Sequence, residues 1–144
     1  MDLLSTFADL EIRTPISRNL IADSQANEVV CINSLRSLVI AKATLESPVL
    51  VIAPSSRIAD ELCDELSSYL GGGILNFPAW ETLPHERLSP KGDTVTARIK
   101  ALHNLQSENP PKVLVTSIRG ALQPIISDIL SEQIISIKTG MNIS

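Results

Sequence analysis

The sequence predicts an α/β domain with a mostly parallel sheet. Three observations carry this: short apolar runs rich in β-branched residues, amphipathic stretches between them, and a length of 144 residues, the modal size of one domain. Each parallel strand pair needs a crossover, and the intervening helical stretches supply it. At 44% hydrophobic and 19% charged, the chain can bury a core, which excludes disorder.

The first residues place Leu3, Leu4, Phe7 and Leu10 at helical spacing, and Ile16, Leu20 and Ile21 repeat the pattern more weakly after Pro15. These predict a short helical arm over residues 1–24, ahead of a domain over 25–124. Val29, Val30, Cys31 and Ile32 form a continuous apolar run expected to be a buried strand. A helix is expected from about Leu35 to Glu46, with Leu35, Leu38, Val39, Lys42 and Leu45 on one side and Pro48 as its stop. Val49, Leu50, Val51, Ile52 and Ala53, bounded by prolines, predict the central strand.

Ser55 or Ser56 can cap the following helix, whose Ile58, Leu62, Leu66 and Leu70 share a stripe, and Gly71 stands where its C-terminal cap belongs. Ile74, Leu75, Asn76 and Phe77 predict another strand, followed by a long irregular connection over 78–93. A helix beginning at Asp93 or Thr94 is expected to turn Val95, Ile99, Leu102 and Leu105 inward. Val113, Leu114 and Val115 predict a strand, 117–123 a short helix, and 134–137 a final strand in a subdomain that begins near residue 125.

Charge is unevenly distributed: the formal sum is -6 over residues 1–84, +3 over 85–119 and -1 over 120–144. One mildly basic stretch in an acidic chain is a poor base for gripping a phosphate backbone, and 3% aromatic content leaves little for base stacking. No apolar run approaches the roughly 20 residues that span a bilayer, and the N-terminus is acidic where a signal peptide would be basic. A cytoplasmic protein without membrane contact is expected. Cys31 and Cys63 lie in stretches that read as buried, with no CxxC pair and no His at ligand spacing, so both are expected to be core residues.

A strand followed by a helix raises the question of a phosphate-binding loop, which uses glycines to expose consecutive N–H groups and a terminal Lys to meet the phosphates. The junction here reads Asn33, Ser34, Leu35, Arg36 and Ser37, with no glycine before Gly71 and Lys42 well inside the next helix. No strand ends in an Asp that would hold magnesium. Neither catalytic residues nor metal ligands nor a bound cofactor are expected. Asp60, Glu61, Asp64 and Glu65 read as a solvated helix face, and His85 and His103 have no nucleophile motif near them. Arg98 reads as a surface ion-pair residue.

The connection around Trp80, the chain's one tryptophan, is the most informative segment, being longer than ordinary links and punctuated by Pro78, Pro84 and Pro90. Trp80 and Leu83 are expected to turn inward and cover a sheet edge. The motif Phe77, Pro78, Ala79, Trp80, Glu81, Thr82, Leu83 and Pro84 is followed by Arg87, Leu88, Ser89 and Pro90, then by Asp93 and Arg98. Further on stand Val113 to Ser117, including Thr116, with Ala121, Leu122, Gln123 and Pro124. In this order and spacing the residues resemble the N-terminal module of the bacterial transcription-repair coupling factors, itself similar to the first domain of the excinuclease B subunit. The junction Ala53, Pro54, Ser55, Ser56 and Arg57, with Ala59, Leu62 and Leu66, is similar to the segment that follows the phosphate loop in both families.

The resemblance implies a RecA-like three-layer fold with a degenerate phosphate loop at Asn33, Ser34, Leu35, Arg36 and Ser37. It implies a scaffold role within a longer protein whose distant motor uses ATP and magnesium, displaces stalled RNA polymerase from damaged DNA and brings in excision repair through the excinuclease A subunit. DNA would be met by other domains. The excinuclease B subunit carries a tyrosine-rich hairpin near the position of Trp80, and no such aromatic cluster is present here. Two other readings stand beside this one: a truncated excinuclease B-like or helicase ATPase, and a free-standing α/β protein-interaction domain.

Overall fold

A computed structural model of the chain describes residues 29–81 and 90–125. The helical arm, Leu83, Pro84, Arg87, Ser89 and the strand expected over 134–137 lie outside the described residues.

The elements run α1 (Asn33–Ala43), β1 (Val49–Ala53), α2 (Ser56–Leu70), β2 (Ile74–Phe77), α3 (Gly92–Leu105), β3 (Val113–Ser117) and α4 (Ile118–Leu122). The described strands form a small open sheet in the order β1-β3-β2, with both pairs parallel. Val113 lies opposite Val49 on one side and Ile74 on the other, so β3 is fixed in register by both neighbours. The predicted parallel α/β architecture is therefore present, but β1 is an edge strand of this sheet rather than its centre. Both Val113 and Val115 are fully buried, whereas Leu50 is 59% and Ile52 53% exposed. An uninterrupted apolar run does not distinguish a strand covered on both faces from one covered on a single face, and here β3 holds the central place.

Alternation along the strands divides the core in two. One face carries Val51, Ala53, Val113, Val115 and Ile74, packed with Ala59, Leu62 and Leu66 of α2 and Ala41 of α1. The other carries Leu75, Phe77 and Leu114, packed with Ala101 and Leu102 of α3. Local chemistry explains why α2 starts and stops where it does. Ser55 Oγ accepts from the Ile58 N–H at 3.3 Å, and Gly71, with φ of 65°, ends the helix while its N–H donates to the Ser67 carbonyl at 3.1 Å.

Residues 29–32 do not form the expected strand. Val30 is 88% exposed, and Cys31 and Ile32 are also exposed, so Cys31 is not a core residue. A four-residue apolar run becomes a strand only where a neighbour supplies ladder partners, and among the described residues none lies beside it. Helix α1 is rotated from the expected face as well. Ser37 and Ala41 are buried while Leu35 and Leu45 are exposed, because α1 approaches α2 through its small side chains. In α3 the inward residues are Thr94, Arg98, Ala101 and Leu102, and Leu105 is exposed.

Leu66 is fully buried at the centre of the larger core. Leu66→Ala is expected to cost about 2–5 kcal/mol, read as a lower urea midpoint with an unchanged slope.

Candidate functional site

The residues singled out from the sequence converge where β2 leaves the sheet. Phe77 ends β2 and is buried, and Pro78, Ala79 and Trp80 follow it half-buried, with Glu81 exposed. Elements from three other parts of the chain hold this stretch in place.

The first is Arg98 of α3, which is only 3% exposed. Its Cζ lies 4.0 Å from the Phe77 ring centroid and 4.5 Å from that of Trp80, and Nη1 donates to the Pro78 carbonyl at 2.8 Å. Arg98 is therefore not the surface ion-pair residue expected from the sequence. Among the described residues no carboxylate pairs with it. Its charge is met by two aromatic faces and a carbonyl, an arrangement that suits the planar, weakly hydrated guanidinium. Burial pulls its pKa below the ordinary value.

The second is the end of β3. Thr116 Oγ1 donates to the Phe77 carbonyl at 2.7 Å, and Ser117 Oγ caps the short helix α4 by accepting from the Gly120 N–H at 3.2 Å. The third is the segment after α4. The Trp80 N–H donates to Gln123 Oε1 at 2.6 Å, and Gln123 Nε2 donates back to the Trp80 carbonyl at 3.2 Å. The amide of Gln123 thus takes the place of a neighbouring strand's peptide group, satisfying both backbone groups of Trp80. Arg119 Nη2 reaches the Glu81 carbonyl at 3.5 Å, and Lys91 Nζ lies 3.3 Å from Glu81 Oε1.

Phe77, Pro78, Trp80, Glu81, Arg98, Thr116, Ser117 and Gln123 are thus one assembly at the C-terminal edge of the parallel sheet. Asp93 lies apart from it, exposed in the first turn of α3, where its charge suits the helix dipole. Pro90 is half-buried just ahead of that helix.

Sequence reasoning missed Gly120 and Arg119. A Cβ on Gly120 would stand 2.5 Å from Thr116 Oγ1 and 3.3 Å from the Phe77 carbonyl oxygen, so the helix can lie against the β2 exit only with glycine there. A glycine inside a predicted short helix was the available signal.

The residues of the expected degenerate phosphate loop occupy the first turns of α1 rather than a loop. Asn33, Ser34 and Leu35 are exposed, Ser37 is buried, and no side chain caps the helix at Ile32. Among the described residues no group of His, Cys, Asp and Glu is placed to hold a metal, and no helix is long and apolar enough to cross a membrane. Cys63 is half-buried, and burial, reinforced by Asp60 and Asp64, pushes its thiol up to about 11.

Together these features define an α/β domain with a small parallel sheet and a braced strand exit at its C-terminal edge. No family model matches the chain. Among curated proteins it is similar to the transcription-repair-coupling factor of Mycobacterium tuberculosis, 44% identical over 98 residues that cover 64% of this chain and 8% of that protein. It is also similar to those of Escherichia coli K12, at 38% over 58 residues, 40% of this chain and 5% of the relative, and of Myxococcus xanthus, at 33% over 89 residues, 57% and 7%. The similarity falls in the N-terminal region of these proteins, as the sequence motifs imply. The chain matches less than a tenth of the length of these relatives.

Arg98→Ala is expected to lose about 2–4 kcal/mol, the combined worth of a desolvated cation–π contact and a charged hydrogen bond. Arg98→Lys is expected to recover only part, since an ammonium cannot lie flat on either ring. Urea unfolding followed by Trp80 emission checks both.

For Cys63 the folded chain favours the neutral thiol, so stability is expected to fall as pH rises from about 9 towards 11. The loss is expected to be smaller in Cys63→Ala, compared by chemical denaturation across that range.

Proposed function

We infer that this chain acts as an N-terminal scaffold portion of a transcription-repair coupling factor and is not itself a catalyst. The observation that carries the reading is the assembly of Phe77, Pro78, Trp80, Glu81, Arg98, Thr116 and Gln123 into one brace, since these motif residues carried the resemblance. Similarity to curated coupling factors supports the same reading. The described parallel sheet, with α2 on one face and α3 on the other, is compatible with a RecA-like three-layer fold.

The chemistry of α1 supports a non-catalytic role. A triphosphate needs several converging N–H donors and a cation, and Asn33 to Ser37 begin a helix with no glycine turn ahead of it and no lysine at its start. On this reading ATP and magnesium serve a motor elsewhere in the longer protein. That protein is an ATP-dependent DNA translocase that removes stalled RNA polymerase and recruits excision repair through the excinuclease A subunit, in the cytoplasm.

The test is a chimera in which this chain's matched stretch replaces the corresponding stretch of the Mycobacterium tuberculosis relative. It is expected to retain release of stalled RNA polymerase and preferential repair of the transcribed strand, and the same chimera with Arg98→Ala to lose part of the repair readout. A chimera that folds but supports neither activity would overturn the assignment. Micromolar binding of magnesium-ATP by the 144-residue chain in calorimetry would favour the ATPase reading instead.

A further inference from the structure

Helix α4 is held with little apolar burial. Its large apolar side chains, Ile118 and Leu122, are exposed, and the residue it buries is Gly120, which has no side chain. Close backbone approach and polar contacts therefore place it. It lies directly on the segment that leaves β2: a Cβ on Gly120 would stand 3.3 Å from the Phe77 carbonyl oxygen and 3.4 Å from the Ala79 nitrogen. Where the helix ends, Gln123 accepts from the Trp80 N–H and donates to the Trp80 carbonyl.

Pro124 sets how Gln123 is presented. A residue before proline is driven to extended backbone, and Gln123 has φ of -79° and ψ of 139°, so α4 stops there with the amide against Trp80. Any displacement of the chain that continues from Pro124 is applied directly to this residue.

We propose that Gln123 is a conformational latch: through its amide, residues 78–81 and α4 open and close as one unit while the parallel sheet stays folded. Trp80 is the shared member, its backbone held by Gln123 and its ring lying against Arg98. Loss of the amide frees both backbone groups of Trp80 at once and takes from α4 its bond to the segment beneath it, so the cap between Ser117 and Gly120 loses support at the same time. Phe77 marks the boundary of the unit, because Thr116 holds its carbonyl and β2 pairs with β3 up to that residue. The latch thereby makes the position of the chain after Pro124 felt at Arg98 and α3.

Native-state amide exchange on the full 144-residue chain tests this. The reporters are the Trp80 N–H, held by Gln123, the Gly120 N–H, which donates to Ser117 Oγ, and the Val113 N–H, which donates to the Gly73 carbonyl beside the sheet. In the unaltered chain at low urea, Trp80 and Gly120 are expected to exchange through one opening with a common urea slope, smaller than that of Val113. Gln123→Glu keeps the size and the acceptor of the side chain but has no donor for the Trp80 carbonyl once ionised. In that variant protection at Gly120 is expected to fall about tenfold or more together with that at Trp80, and protection at Val113 to stay as it was. Undiminished protection of Gly120 in Gln123→Glu overturns the proposal, since the amide then holds Trp80 alone. Different urea slopes for Trp80 and Gly120 in the unaltered chain overturn it too, as does exchange of both only in the global opening that exposes Val113.

Discussion

One guanidinium shared by two aromatic rings determines how the chain leaves its sheet. Arg98 reaches out of α3 to lie over Phe77 and Trp80 and to bond the Pro78 carbonyl, so a helix, a strand end and a loop are fixed by one side chain. A buried charge that no described carboxylate meets is costly unless polarizable faces and acceptors surround it, and here they do. Fixing Arg98 also fixes the rotation of α3. Thr94, Ala101 and Leu102 come inward with it and Leu105 turns out.

Around that contact the brace is made almost wholly of side chains bonding backbone. Thr116 holds the Phe77 carbonyl, Gln123 holds both polar groups of Trp80, and Arg119 reaches the Glu81 carbonyl. An irregular segment leaving a sheet carries peptide groups that no ladder satisfies, and buried ones must find partners. Three successive elements after β2 supply them, which is why residues far apart in sequence form one motif. Gly120 belongs to the same logic, since a side chain there would push against Thr116 and the carbonyl that it holds.

The sheet imposes the other constraint. With β3 between β1 and β2, each crossover must pass over a face, which sends α2 to one side and leaves α3 against β2 on the other. Among the described residues neither helix packs on Leu50 and Ile52, which are exposed although β1 is as apolar as β3. Small residues govern the remaining contact, where Ser37 and Ala41 let α1 come close to α2.

The sequence by itself determined the element types and the parallel α/β class. Branched apolar runs and helical periodicity arise within a few residues, and a serine cap or a glycine stop acts on its own helix, as at Ser55 and Gly71. It also pointed to most of the residues gathered around Trp80, though not to Arg119 or Gly120, because the order of a motif is a linear property. Tertiary structure alone decided that β3 rather than β1 is the central one of the described strands, that residues 29–32 pair with no described strand, and that Arg98 is buried rather than paired at the surface. Each of these depends on which distant segment arrives as a neighbour. An apolar run has the same local signal at the edge and the centre of a sheet, and an arginine has the same charge in solvent and over an aromatic ring, so only the neighbour decides between them.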